Sequence, residues 1–187
     1  MSAENVSSSH TIADPGPLGL AGFALTTFVL SMHNSGLVPG AVFAVLGLAL
    51  FYGGVAQILA GMWEFMKGNT FGATAFTSYG AFWMAFWYLV ASGMADKAGE
   101  TGVGVFLLAW TIFTAFMTVA AMKASRAVML VFVALTITFL LLTLGKFGMG
   151  TTVLGGYFGL LTAALAWYGS AAGVINSTWK KTVLPVG

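Results

Sequence analysis

Gly53, Gln57, Gly61 and Glu64 fall at i, i+4, i+8 and i+11, so they share one face of a helix within an otherwise apolar segment. Gln57 brings amide donors and an acceptor, more than its own helix can satisfy, and so calls for an interhelical partner, a water path or a ligand. The glycines beside it leave backbone and space open. Phe23, Thr27, Leu30 and Asn34, at i, i+4, i+7 and i+11, give a second helix a partly polar face, with Thr26 alongside. A third segment supplies Thr74, Thr77, Ser78 and Tyr79, although Tyr79 lies about 140° around the helix from Thr74. Glu64 and His33 are the titratable groups near the span ends that face such a path. Glu64 is favoured for proton coupling because it shares the face of Gln57, and the competing reading makes it a solvated loop carboxylate beside Lys67.

Uncharged polar groups among Phe, Tyr and Trp suit a small, weakly hydrated solute better than a metal ion, which wants carboxylate rings or converging carbonyls. The competing reading is helix glue, because Ser and Thr hydroxyls in membrane helices mostly bond back to their own helix or to a neighbour. Catalysis has little to work with. The spans hold no Asp, one terminal His33 and no His-Glu-x-x-His helix, and the chain has no cysteine to act as nucleophile or metal ligand. One intramembrane His cannot give a bis-His haem, and His10 lies outside the bilayer. No enzyme activity, cofactor or metal is expected.

The elements that position these residues follow from the charges. Of 187 residues 59% are hydrophobic and 6% charged, and the mean hydropathy is +0.94, against roughly 25% charged residues in a soluble domain. The chain is therefore a membrane protein. A net charge of +2 without a basic run leaves no surface for nucleic acid. Charge-free stretches occupy 15–63, 68–95, 101–122, 127–145 and 147–179. The first is too long for one span of about 20 residues, and His33-Asn34-Ser35-Gly36 with Pro39 divides it. The expected fold is an all-α integral membrane protein of six helices, at about 17–34, 39–63, 70–92, 102–122, 126–145 and 149–174. A Ser-rich, mobile cytoplasmic tail (1–13) precedes the transmembrane domain (14–179), and a short cytoplasmic tail (180–187) follows.

Lys67, Lys123, Arg126, Lys180 and Lys181 fall on the side of the termini, whereas Lys97 and Lys146 fall on the other, which predicts cytoplasmic termini. No Lys or Arg occurs in the first fourteen residues, and Pro15 and Pro17 open the first apolar segment, so no cleaved signal peptide is expected. Gly36/Gly40, Gly155/Gly159 and Gly169/Gly173 have helix-packing spacing, within the protomer or between subunits. Six helices permit a three-plus-three inverted arrangement, though the halves show no repeat.

Asp14-Pro15-Gly16-Pro17-Leu18-Gly19-Leu20 resembles the Asn-Pro-Ala-Pro-Leu-Gly-Leu signature of the acetate uptake transporter family. His33-Asn34, Phe51 to Ile58, Gly68 to Gly72, Thr74 to Gly80 with Phe82-Trp83, and Thr182-Val183-Leu184-Pro185 are similar to that family as well. Asp14 and Gly16 depart from it. Asp14 can still cap the helix before Pro15, but its charge would offset the pull of the helix N-terminus on anions. The resemblance implies a homohexamer in the plasma membrane (the inner membrane of a bacterium or archaeon), each protomer moving acetate and more weakly succinate. It also implies a constriction at Phe23, Tyr79 and Leu135, where Tyr79 would offer its hydroxyl to the carboxylate. Thr27, Asn34, Gln57, Thr74, Thr77 and Ser78 are the expected pathway residues. The expected function is acetate transport, as proton-coupled transporter or anion channel; a small-amide or urea channel and a non-transporting scaffold are the alternatives.

Overall fold

Two polar side chains show how the chain punctuates itself between apolar runs. Asn69 Oδ1 accepts a hydrogen bond from Gly72 N at 3.1 Å, and Ser125 Oγ accepts one from Val128 N at 3.3 Å, so each satisfies a free amide at a helix start. The structure, a computed structural model, describes residues 12–187. Its helices are α1 (Gly16–Asn34), α2 (Ala41–Met66), α3 (Thr70–Ala91), α4 (Met94–Ala121), α5 (Arg126–Met149) and α6 (Thr152–Trp179). No strand occurs among the described residues. Five of the six are long and apolar enough to cross a membrane. The exception, α3, is 22 residues long, enough for a 30 Å hydrocarbon core at about 1.5 Å per residue, but its Thr, Ser, Tyr and Gly residues make it less apolar.

Each helix packs on its neighbours in the chain and α6 closes on α1, so the six form a ring. Small residues seat the closure. Gly156 lies against the Asn34–Ser35 backbone, Gly159 against Ser31 and Gly173 against Pro17, while Ser170 Oγ donates to Pro17 O at 2.7 Å. Gly155/Gly159 and Gly169/Gly173 thus pack within the protomer. Gly36 and Gly40 do not pack on a helix: Gly36 has φ +77° in the α1–α2 turn, and neither glycine has an atom within reach of an added Cβ. A turn that needs the left-handed region uses glycine for its backbone freedom.

α2 is not α-helical throughout. Phe51–Ala56 forms a π-helical turn, and its glycines let neighbouring helices come close. A Cβ on Gly53 would sit 2.6 Å from Thr26 Oγ1 and 2.9 Å from Trp83 Cδ1. The space beside Gln57 is therefore filled by α1 and α3, where an open backbone was expected. α4 starts at Met94, eight residues before the expected span, and breaks at Gly99 (φ 65°, ψ 176°). The short piece before the break carries Asp96 and Lys97, and Glu100, just after it, pairs with Lys146 at 3.0 Å. α2 and α6 also run past the expected ends at 63 and 174.

The C-terminal segment folds back on the ring. Asn176 Nδ2 donates to Leu184 O at 2.8 Å, Asn176 Oδ1 accepts from Val183 N and Leu184 N, Tyr168 Oη donates to Pro185 O, and Ala127 N donates to Val186 O at 3.0 Å. The expected mobile tail 1–13, with His10, lies outside the described residues except for Ile12 and Ala13.

Candidate transport pathway

Two cavities open into the ring from opposite ends. The first, about 600 Å³, has Asp14, Lys67, Asn69, Lys123 and Asn176 at its mouth. The second, about 210 Å³, has His33, Asn34, Lys146 and Thr152 at its mouth. Phe23 of α1 and Leu135 of α5 wall both cavities, and Tyr79 of α3 walls the first. All three side chains are buried. The Phe23 and Tyr79 rings lie 5.7 Å apart, and Phe132 stands 6.0 Å from Tyr79. Three helices far apart in sequence thus place two rings and a leucine where the cavities meet. Below this collar, Phe82 packs edge-on against Phe139 at 5.2 Å in the wall of the second cavity.

The Tyr79 hydroxyl is not free: its Oη lies 2.9 Å from Thr114 Oγ1 of α4. Nothing in the sequence marked Thr114, whose place opposite Tyr79 depends on the packing of two helices.

The pathway residues expected from the sequence divide into two groups. Gln57 walls the first cavity, is 1% exposed, and its Oε1 has no hydrogen-bond partner. Thr27 and Asn34 wall the second cavity, and Thr27 Oγ1 is also unpartnered. Thr74, Thr77 and Ser78 are not among the wall residues of either cavity. Thr77 lies about 200° around α3 from Tyr79 and faces Gly61 of α2. Trp83 joins the set: it walls the second cavity and its buried indole Nε1 lacks an acceptor. The signal for it was present in the Phe82-Trp83 pair, which entered the reading of the sequence only through the family resemblance.

At the first mouth, Glu64 is 2% exposed and accepts a hydrogen bond from Asn69 Nδ2 at 2.8 Å. It is therefore not the solvated carboxylate beside Lys67. Lys67 Nζ instead pairs with Asp14 Oδ1 at 2.7 Å, and the same oxygen accepts from Gly16 N at 3.1 Å. The N-cap position is thus Pro15, one residue later than expected, and Asp14 satisfies the first amide of α1 from just outside it while Lys67 offsets its charge. His33 Nδ1 lies 2.6 Å from Pro39 O, within the α1–α2 connection. No cluster of His, Asp or Glu able to hold a metal occurs among the described residues.

A ring of membrane-crossing helices around two cavities that meet at an apolar collar defines a multi-pass membrane protein with a central path. The chain belongs to the GPR1/FUN34/yaaH family, which matches residues 2–187. It is 41% identical over 183 residues to the succinate-acetate/proton symporter SatP of Escherichia coli K12, covering 94% of this chain and 96% of that protein. To accumulation of dyads protein 2 of Saccharomyces cerevisiae it is 45% identical over 179 residues, covering 88% of this chain but only 62% of the yeast protein's length. A solved structure described as the bacterial acetate channel SatP superposes with a TM-score of 0.89 at 41% identity, covering 95% of this chain and all of that one.

Proposed function

We propose that this protein moves acetate, and more weakly succinate, across the plasma membrane along the axis of the ring, with both termini cytoplasmic. The observation that carries the reading is the collar: Phe23 and Leu135 are shared by the two cavities and Tyr79 packs against Phe23. The names of its relatives support the substrate. An apolar neck dewets, so a compact carboxylate with a methyl group passes more easily than a strongly hydrated ion. Thr27 and Trp83 on the second-cavity side supply uncommitted donors at which a carboxylate exchanges water for protein, and Gln57 Oε1 on the first-cavity side is an uncommitted acceptor for a bridging water. Both described termini lie at the end that carries Lys67 and Lys123, the cation-rich side.

A carboxylic acid with a pKa of about 4.3 is roughly 0.2% protonated at pH 7, so inward movement of the anion against a negative interior needs a large gradient or a proton. Glu64, buried at the first mouth on the face of α2 that carries Gln57, is the residue we assign to that proton. In proteoliposomes, Glu64→Gln should abolish acetate-driven proton uptake while acetate still moves. Unchanged coupling would remove Glu64 from the mechanism and favour an uncoupled channel.

The exposed apolar faces of α2 and α4, with Phe43, Phe51, Ile112 and Val119, suit lipid or further copies in a homohexamer. Flux of radiolabelled acetate and urea into liposomes tests the whole reading. Acetate-selective flux is expected; urea-selective flux would make the protein a small-amide channel, and no flux would leave a scaffold.

A further inference from the structure

Six threonines of α4, α5 and α6 follow one pattern, and the buried Thr114 breaks it. Thr111, Thr118, Thr136, Thr138, Thr143 and Thr162 each donate to the carbonyl four residues back, at 2.8 to 2.9 Å. Each therefore has an acceptor for its proton on its own helix, as is usual for threonine in a membrane helix. Thr114 is fully buried and its hydroxyl has no such bond; Tyr79 Oη, 2.9 Å away, is its partner among the described residues.

A threonine hydroxyl has one proton, and so does a phenol. If Tyr79 gave its proton to Thr114, the collar would present only acceptor lone pairs, which repel a carboxylate. If Thr114 gives its proton to Tyr79, the phenol O–H stays free. A phenol that accepts a hydrogen bond is also polarised into a better donor. Because no carbonyl of its own helix takes the Thr114 proton, the second arrangement is open here, and a carboxylate at the collar favours it.

We infer that Thr114 is a positioning residue that donates to Tyr79 Oη and so turns the Tyr79 proton toward a small carboxylate at the collar. Thr114 does not touch the substrate. Its effect passes through Tyr79 alone, and the inference rests on the transport reading above.

The test measures acetate uptake by the full chain in proteoliposomes for Thr114→Val, Thr114→Ser, Tyr79→Phe and the Tyr79→Phe/Thr114→Val double variant. Thr114→Val should raise the half-saturating acetate concentration about 3- to 10-fold, the loss of one hydrogen bond. Thr114→Ser, which keeps the hydroxyl, should restore it. In the Tyr79→Phe background Thr114→Val should add nothing. If Thr114→Val does not assemble, Thr114→Ala against Thr114→Ser gives the same comparison. An equal effect in both backgrounds, no effect in either, or failure of serine to rescue would show a packing role and overturn the inference while transport stands. Absence of acetate uptake by the unaltered protein would instead remove the transport reading, and this inference with it.

Discussion

α1–α3 and α4–α6 treat their buried polar groups in opposite ways. In α4–α6 six threonines reach the carbonyl four residues back on their own helices and also meet in pairs, Thr111 with Thr143 at 3.1 Å, Thr118 with Thr136 at 2.8 Å, and Thr138 with α6 Thr162 at 3.2 Å, so one hydroxyl of a pair can donate to its own helix and the other across. In α1–α3 lie all four buried side-chain polar atoms left without a partner among the described residues: Thr27 Oγ1, Gln57 Oε1, Thr77 Oγ1 and Trp83 Nε1. A hydroxyl with partners both on its own helix and on a neighbour is glue. A polar group buried and unsatisfied costs stability, and three of these four belong to cavity walls. The first three helices thus carry polar chemistry that packing alone does not explain, and the last three hold it in place. The Tyr79–Thr114 bond crosses between the two halves.

The packing side of this contrast predicts the largest effect. A Cβ on Gly61 would lie 2.8 Å from Thr77 N and 3.2 Å from Thr77 Cα, backbone atoms that cannot swing aside. Gly61→Leu should cost about 3 kcal/mol or more, whereas Gly40→Leu, with no atom within 4 Å, should unfold like the unaltered protein in detergent. Equal unfolding temperatures for the two would show that α2 and α3 are not held at this approach.

A pair of substitutions then sharpens the comparison. Thr143→Val, at a buried pair that walls neither cavity, should cost about 0.6–1.7 kcal/mol and leave acetate flux per folded molecule unchanged. Gln57→Leu should leave stability unchanged or raise it, since an unsatisfied buried acceptor disappears, and should lower acetate flux. If both variants lose stability alike, the division into glue and path fails. The smallest effect belongs to the C-terminal segment. Asn176→Ala removes three hydrogen bonds to Val183 and Leu184, and those two amides should exchange with solvent faster while the six helices stay protected.

Much of the ring was legible because charges are expensive in a bilayer and therefore mark its edges. That same reasoning put the start of α4 too late, since Asp96, Lys97 and Glu100 are helical beyond the apolar run, the first two set apart from it by Gly99. The π turn at Phe51–Ala56 has no compositional mark that separates it from an α-helix, and only Gly53-Gly54 hint at it. Spacing misplaced Gly36 and Gly40 because glycine serves turns and helix contacts alike. Phase put Gln57 and Glu64 on one buried face, but it could not reveal that Lys67 pairs with Asp14, 53 residues away, or that Thr114 meets Tyr79. Pairings of that kind depend on how helices dock, which periodicity within one helix does not encode.

The central claim is that Phe23, Tyr79 and Leu135 act together as a size-selective neck. It is tested most directly by the ratio of acetate to succinate flux through Phe23→Ala, Tyr79→Ala and Leu135→Ala proteins shown to remain folded, with Val45→Ala as a buried control that walls neither cavity. Each Leu or Phe truncation should cost about 2–5 kcal/mol of stability, so stability alone does not discriminate. The ratio should fall in all three collar variants, as succinate gains access, and stay at the unaltered value in Val45→Ala. A ratio unchanged in all three would contradict it.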